Sequence, residues 1–519
     1  MHRAGTGIAA IDTALIEQLT DAAAFGEPPG KTEIIETHIS WVILTARFAY
    51  KIKKPLRLDF LDFGTLERRR FYCEEELRLN RPWAPDIYLD VVAITDADGK
   101  PVEYAVRMLR FDENLRLDQQ LGAAKLTAAD MRQLGQAIAA RHLAAAIAEA
   151  ATRERTLQMT STQIRDNFEA LHGQSDAATL ASIRSWTEAE LEVRAGLIEH
   201  RFDAGFFRDC HGDLHLANLV RMPGGIRSFD CIEFSADLRR IDVICDTAFL
   251  VMDLAAKGRT DLGAVFLNRY LECCGDYAGI ALLDLYFAYR SMVRAKVAVI
   301  CSQESERQDE RLRNLADADH YCQLALRQTR KPVPMLIIMS GLSGSGKTWV
   351  SDELIARLPA IRVRSDIERK RLAGVAETAD SASGIAAGLY SSQSSRDVYR
   401  YLFDTARSLL DARHNVILDA AFLQAEQRDA ALQLADAGGY RATFVDVRAS
   451  PALLRERIRR RRQTAADASE AGFDVLHHQL ATADEFTAQQ LEHTIVFENI
   501  EGCDIGGLVH TLRSRAGTA

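Results

Sequence analysis

The sequence predicts two successive folds, an α+β domain over residues 1–330 and an α/β domain with a parallel sheet over residues 331–519. Three observations predict this. The early chain mixes alternating apolar runs with one helix, the middle is rich in alanine and leucine at helical spacing, and the last third alternates short apolar runs with helical segments. Between the last two regions, "RQTRKPVP" (327–334) sets two prolines and several charges against the wholly apolar "MLIIMS", and the domain boundary is placed there.

A chain of 519 residues exceeds one ordinary core. With 47% hydrophobic residues, 26% charged residues and a net charge of -9, it reads as globular, and the acidic balance argues against a dedicated nucleic-acid coat. The nine cysteines are scattered without a CxxC pair, which favours free thiols in a reducing compartment over zinc or redox motifs. No stretch reaches the roughly 20 apolar residues of a membrane span, and the first residues lack the apolar core of a signal peptide. A cytoplasmic protein with no membrane partner is expected.

In order along the chain, "WVILTARFAYKIKK" (41–54) alternates like a strand, with Arg47, Ala49, Lys51 and Lys53 on one face. "LERRRFYCEEELRLNRPWAP" (66–85) has helix-forming composition ended by prolines. "DIYLDVVAITDADGKPVEYAVRMLR" reads as two strands joined at "ADGK". These make a small lobe over about 30–111. A helical lobe follows over about 112–330, interrupted by the polar loop "HGDLHLANLV" (211–220) and the hairpin signal "MPGGIRSFD" (222–230).

In the polar loop His211, Asp213 and Asn218 stand at H-x-D-x-x-x-x-N spacing. An aspartate can take the proton of an attacking hydroxyl while an asparagine amide oxygen a few residues on holds magnesium. Asp230, at the hairpin's end, is a candidate second ligand. A zinc site at His211 and His215 lacks a third soft ligand at useful spacing. Together with "FAYK" (48–51), these residues resemble the aminoglycoside phosphotransferase and choline kinase branch of the protein-kinase-like fold over about 30–325. The resemblance implies Asp213 as base, Asn218 and Asp230 as magnesium ligands, His211 as a loop brace, and Asp246 as an aspartate steadying the loop from the following helix. It also implies Lys51 on the ATP phosphates, with Lys53 as rival, and a helix glutamate paired to that lysine, chosen as Glu75 within "EEE" (74–76). No glycine-rich loop precedes the lysine strand, and Glu233 is a doubtful further ligand.

In the last third, "GLSGSGKT" (341–348) fills G-x-x-x-x-G-K-[ST] between an apolar strand and the helical "WVSDELIARL". Gly341, Ser343, Gly344, Ser345 and Gly346 are expected to curl backbone N–H groups around phosphates. Lys347 would reach the β- and γ-phosphates, and the Thr348 hydroxyl would ligate Mg2+. "RVRSDIERKRLAG" (362–374) places Asp366 and Arg369 at D-x-x-R spacing and resembles polynucleotide-kinase and zeta-toxin-like P-loop kinases. There Asp366 activates an acceptor hydroxyl and Arg369 holds the acceptor or the reacting phosphate; a helix-capping aspartate with a surface arginine is the structural alternative. Asp419, ending "NVILD", is read equally as a magnesium-side carboxylate and as a simple strand end. "RERIRRRR" (455–462), with six arginines in eight positions, resembles the lid of such kinases, with Arg457 and Arg461 as the picks. "LHHQL" (476–480) reads as a helix face.

The whole resembles bacterial fusions of an aminoglycoside-phosphotransferase-like kinase with a P-loop kinase. That resemblance implies ATP and Mg2+ as cofactors, two nucleotide sites, and small-molecule hydroxyl acceptors, with a nucleic-acid end as a further acceptor class for the P-loop domain. The rivals are a P-loop kinase regulated by an N-terminal pseudokinase or nucleotide-sensing module, and a non-catalytic nucleotide-gated binding protein.

Overall fold

The computed structural model describes residues 19, 21–58, 61–96, 98–375, 392–464 and 472–517, without side chains at 392 and 461–464. The chain forms two compact units, one from Met1–Asp166 with Leu191–Asp253, the other from Asn167–Glu190 with Leu254–Ala519. Both expected classes are present, an α+β unit and an α/β unit with a parallel sheet. The expected boundary at 330/331 lies inside the second unit, where the "KPVP" segment connects a helix to a strand. Prolines and charges there mark a change of local pattern, while packing keeps both sides together.

In the first unit, strands β1 (Glu33–Glu36), β2 (Ser40–Leu44), β3 (Phe48–Lys53), β4 (Tyr88–Thr95) and β5 (Pro101–Leu109) form an antiparallel sheet of order β1-β2-β3-β5-β4. The stretch expected as one strand over 41–54 is thus two, joined by a turn in which Thr45 Oγ1 accepts from Phe48 N–H at 3.0 Å. Alternation along β3 divides its side chains. Tyr50 and Ile52 enter an apolar cluster with Ile43, Ile94 and Ala105, so Lys51 and Lys53 point to the opposite face.

Helix α1 (Leu66–Asn80), capped by Thr65, lies on that lysine face. Its buried positions are Arg69, Cys73, Glu76, Leu79 and Asn80, a stripe at helical spacing. Hairpin β6 (Leu219–Met222) and β7 (Gly225–Ser228) follows the polar loop, and α2 (Val243–Ala256) follows the hairpin.

In the second unit, helices α3 (Thr260–Cys274), α4 (Leu283–Glu304) and α5 (Gln308–Gln328) precede β8 (Met335–Ser340). A core of Phe168, Leu171, Ile183, Met292, Val299 and Cys322 holds the helical part together. The sheet has order β9-β10-β8-β11-β12, with β9 (Ala360–Arg364), β10 (Asn415–Asp419), β11 (Arg441–Arg448) and β12 (Thr494–Glu498). Every pairing in it is parallel. All six residues of β8 are buried, as befits a central strand covered on both faces. No helix among the described residues is long and apolar enough to cross a membrane.

Edge strand β9 does not meet water along its whole length. Asn268 of α3 donates from Nδ2 to Ala360 O at 2.9 Å and accepts at Oδ1 from Arg362 N–H at 2.6 Å, so one side chain satisfies backbone groups that a further strand would have paired.

Candidate functional sites in the two units

The first unit gathers its charge between β3 and α1. Lys51 Nζ lies 2.9 Å from Glu76 Oε1 and 2.5 Å from Asp230 Oδ1. Lys53, fully buried, pairs with Glu76 and with Glu233. The helix glutamate is therefore Glu76, a correction to the expected Glu75. The reason is helical phase: Glu76 continues the buried stripe of Arg69 and Cys73, whereas Glu75 turns outward and pairs with Arg78 at 2.7 Å. The lysine rivalry also resolves into two tasks. Lys51 faces Asp230, while Lys53, fully enclosed, stands behind it as a counterion shared by Glu76 and Glu233.

Burial alone would lower the Lys51 pKa, but the Asp230 and Glu76 carboxylates outweigh it and hold the ammonium well above the usual lysine range. Burial likewise opposes ionisation of Asp230, and Lys51 prevails, keeping that carboxyl below its ordinary value. For Glu233 burial wins and raises the carboxyl, with Lys53 opposing.

Asp230 is held by more than charge. Its backbone adopts a left-handed φ of 63°, its N–H donates to Tyr88 Oη at 3.1 Å, and the next residue is latched to α1, because Cys231 N–H donates to Asn80 Oδ1 at 2.7 Å. A non-glycine residue in this region is uncommon and tolerable for aspartate, and the turn presents a half-exposed carboxylate (47%) beside Lys51.

The polar loop rests on α2. Asp246 accepts from His211 N–H and from Gly212 N–H, each at 2.9 Å, and its Oδ2 lies 3.2 Å from His142 Nε2. Gly212 is required here: its φ is 83°, and a Cβ would come 2.9 Å from Leu238 O. The His211 ring donates from Nε2 to Phe229 O at 2.9 Å, and burial lowers its pKa, so it is a neutral brace. His142, Cys210 and Asp246 bring possible metal-ligand atoms within 4.8 Å of one another, but both Asp246 oxygens already receive loop N–H groups. One turn-pair further along α2, Asp253 accepts from Leu216 N–H at 2.9 Å, a second brace that motif reading missed.

At the loop's tip Asn218 Nδ2 donates to Asp213 Oδ2 at 2.9 Å and to Asp213 O at 3.0 Å, which turns its amide oxygen the other way. His215 Nδ1 accepts from Ala217 N–H, so the ring proton belongs on Nε2, 3.3 Å from Asp213 Oδ2. Asp213 is thus oriented by two donors through one oxygen.

The second unit's site opens where the P-loop leaves central strand β8 for α6 (Lys347–Arg357), at the carboxyl ends of the parallel strands. Gly346 has φ 90°, and a Cβ there would collide with the Asn499 amide. A cavity of about 340 Å³ is lined by Gly344, Gly346, Lys347, Thr348, Asp366, Arg369 and Asp419 among others, with Ser343 and Arg457. Gly341 and Ser345 support the loop without lining it. Strand register places Asp419 beside Met339 at the foot of the loop, where its Oδ2 accepts from Ser351 Oγ at 3.1 Å.

Asp366 and Arg369 share a face of α7 (Ser365–Leu372) toward the cavity. The residue at that helix's N-cap is Arg364, so capping is not the task of Asp366. Arg457, expected over the phosphates, lines that cavity and donates to Ser345 O at 2.9 Å and to Asn499 O at 2.9 Å, bracing backbone carbonyls beside the loop. The Arg461 side chain lies outside the described residues. Gln479, in the stretch read as a plain helix face, accepts at Oε1 from Ser343 N–H at 2.7 Å, and Lys347 Nζ folds onto Gly341 O and Leu342 O at 2.8 and 3.0 Å. Only tertiary packing brings Gln479 there, so no sequence signal marks it.

A family model described as an AAA domain matches residues 336–486. An uncharacterized protein of Mycobacterium tuberculosis is 30% identical over 407 residues, which are 78% of this chain and 81% of that protein. Among solved structures, a Plasmodium vivax ethanolamine kinase covers 58% of this chain and 84% of its own at 12% identity and a TM-score of 0.36. A sugar kinase from Janibacter covers 36% and 96% at 17% identity and a TM-score of 0.27.

Replacing Glu76 by Gln leaves two buried ammonium groups short of a counterion, and losing one partner of a buried pair costs about 3–5 kcal/mol. The outward Glu75–Arg78 pair is of the kind worth at most about 1 kcal/mol. Hydrogen exchange across α1 is expected to accelerate strongly in Glu76→Gln and hardly in Glu75→Gln; equal effects would place the lysine's counterion elsewhere. For the P-loop, freeing Ser343 N–H by Gln479→Ala removes a competing hydrogen bond worth about 1 kcal/mol, so nucleotide affinity is expected to rise about fivefold in titration calorimetry. A fall in affinity would make Gln479 a nucleotide ligand.

Proposed function

This chain belongs to one family with the mycobacterial proteins that match it over most of their length, and on that premise we propose that it is an ATP- and Mg2+-dependent phosphotransferase with two nucleotide sites, each passing a γ-phosphate to a hydroxyl acceptor. One observation carries the reading. Each unit holds its own lysine, its own oxygen donors fit for magnesium and its own accessible carboxylate: Lys51, Asn218, Asp230 and Asp213 in the first, Lys347, Thr348, Asp419 and Asp366 in the second.

The donor sets are amide, hydroxyl and carboxylate oxygens, the hard ligands that Mg2+ takes, with no thiol among them. Bound there, magnesium neutralises charge on the phosphates and fixes their orientation. The protein's part is positioning. Asp213, its carboxylate oriented by Asn218 and His215, receives the acceptor's proton while the acceptor's oxygen bonds to the γ-phosphorus and the bond to the β-phosphate oxygen breaks. Asp366 does the same in the second unit, with Arg369 on its helix face toward the acceptor. The glycine cradle and the Lys347 ammonium suit a polyphosphate. The acceptors are small hydroxyl compounds, with a nucleic-acid end as a further class for the P-loop unit.

A second reading, in which the first unit senses nucleotide without turnover, is favoured by one contact: the Lys51 ammonium occupies the Asp230 carboxylate. Both readings meet the same test. The protein is incubated with ATP, Mg2+ and a library of hydroxyl metabolites, and phosphorylated products are read by mass spectrometry. Asp213→Asn is expected to remove one set of products and Asp366→Asn another, each by about 10²–10⁴ in rate, with nucleotide affinity retained. Products that all survive Asp213→Asn support the sensing module; products that survive both variants overturn the assignment of the bases.

A further inference from the structure

The P-loop unit contains a buried charge that the proposed transfer chemistry does not use. Arg362 of edge strand β9 is 4% exposed, and its guanidinium meets three side chains. Nη2 donates to Glu272 Oε1 at 2.7 Å and Nε to the same oxygen at 3.1 Å. Nη1 donates to Ser351 Oγ at 2.8 Å and stands 2.8 Å from Asp352 Oδ1. Glu272, on α3, is itself 4% exposed.

Ser351 lies one helical turn beyond Thr348, and its hydroxyl has a single proton. With Arg362 donating onto Oγ, that proton goes to Asp419 Oδ2 at 3.1 Å or to Thr348 O at 2.9 Å. Both targets belong to the magnesium side of the cavity. A chain of buried contacts therefore runs from α3 through Glu272, Arg362 and Ser351 to Asp419. The Asn268 amide clamps the backbone at Arg362 from the same helix, so the strand cannot shift without breaking it. Glu272 lies upstream of the AAA-domain match at 336–486.

We propose that Glu272 and Arg362 are positioning residues for the P-loop's magnesium ligands, which makes helix α3 an integral part of that site. The inference rests on the P-loop reading given above. Burial opposes ionisation of Glu272 and Arg362 outweighs it, holding the carboxyl below its ordinary range, so the pair is charged wherever the protein is near neutrality.

The test uses the full chain and titrates a non-hydrolysable ATP analogue with and without Mg2+, following the binding event that Lys347→Ala abolishes. Groups that orient metal ligands from behind contribute about 10- to 100-fold to metal affinity. In Arg362→Met the gain in nucleotide affinity on adding Mg2+ is expected to shrink by about tenfold or more, with magnesium-free affinity close to wild type. Arg362→Lys should recover part of the gain. Glu272→Gln, closer in shape, should show the same sign and serves if Arg362→Met does not fold. An unchanged magnesium gain in a folded Arg362→Met or Glu272→Gln variant overturns the proposal and leaves the pair as packing. Wild type lacking any Lys347-dependent binding would instead overturn the P-loop reading itself.

Discussion

Charge taken out of water must be compensated at once, and that constraint organises both units. In the first, two lysines buried on one face of β3 are met by three carboxylates from two sides: Glu76 from the helix, Asp230 and Glu233 from the segment after the hairpin. Without the helix each lysine would keep one carboxylate of its two, and without the segment after the hairpin both lysines would share Glu76 alone. The Asn80 latch to Cys231 exists in the same register because the carboxylates must arrive at the same depth. In the second unit a buried arginine binds a glutamate of α3 and, through Ser351, the aspartate at the end of β10. In both cases the buried charge pairs tie the candidate site residues to the core.

The loops between these charges are held by backbone rather than by side-chain length. Asp246 and Asp253 of α2, seven residues apart and so on one helix face, take three N–H groups of the polar loop. The P-loop is held from outside in the same manner, its Ser345 carbonyl receiving both the Asn499 amide and the Arg457 guanidinium.

What could be read from the sequence was what chemistry places close together in the chain. The P-loop, the spacing of Asp213 and Asn218, the strand pair at 88–109 and the hairpin before Asp230 are local patterns, and they stand as read. The run "EEE" (74–76) by itself does not separate Glu75 from Glu76. The stripe of Arg69, Cys73 and Asn80 on the same helix held the better signal, since only Glu76 shares its phase. Asp253, Gln479, Glu272 and Arg362 carried no local mark: each meets its partner across a long stretch of chain, so burial alone reveals it. The boundary at 330 illustrates the same limit, because composition changes there while Asn268, Glu272 and Asp284 tie the preceding helices to residues 331–362. The density of arginines over 455–462 does not show that Arg457 also holds the carbonyls of Ser345 and Asn499, which lie far from it in the chain.

The central claim is that one chain carries two separate phosphate sites, each with its own lysine. Titration calorimetry with a non-hydrolysable ATP analogue and Mg2+ tests it most directly, because the two sites share no phosphate or metal ligand. The account predicts a wild-type stoichiometry close to two, falling to close to one in Lys347→Ala and, separately, in Lys51→Ala. A wild-type stoichiometry of one, lost with Lys347→Ala and untouched by Lys51→Ala, would contradict it and leave the first unit without a nucleotide.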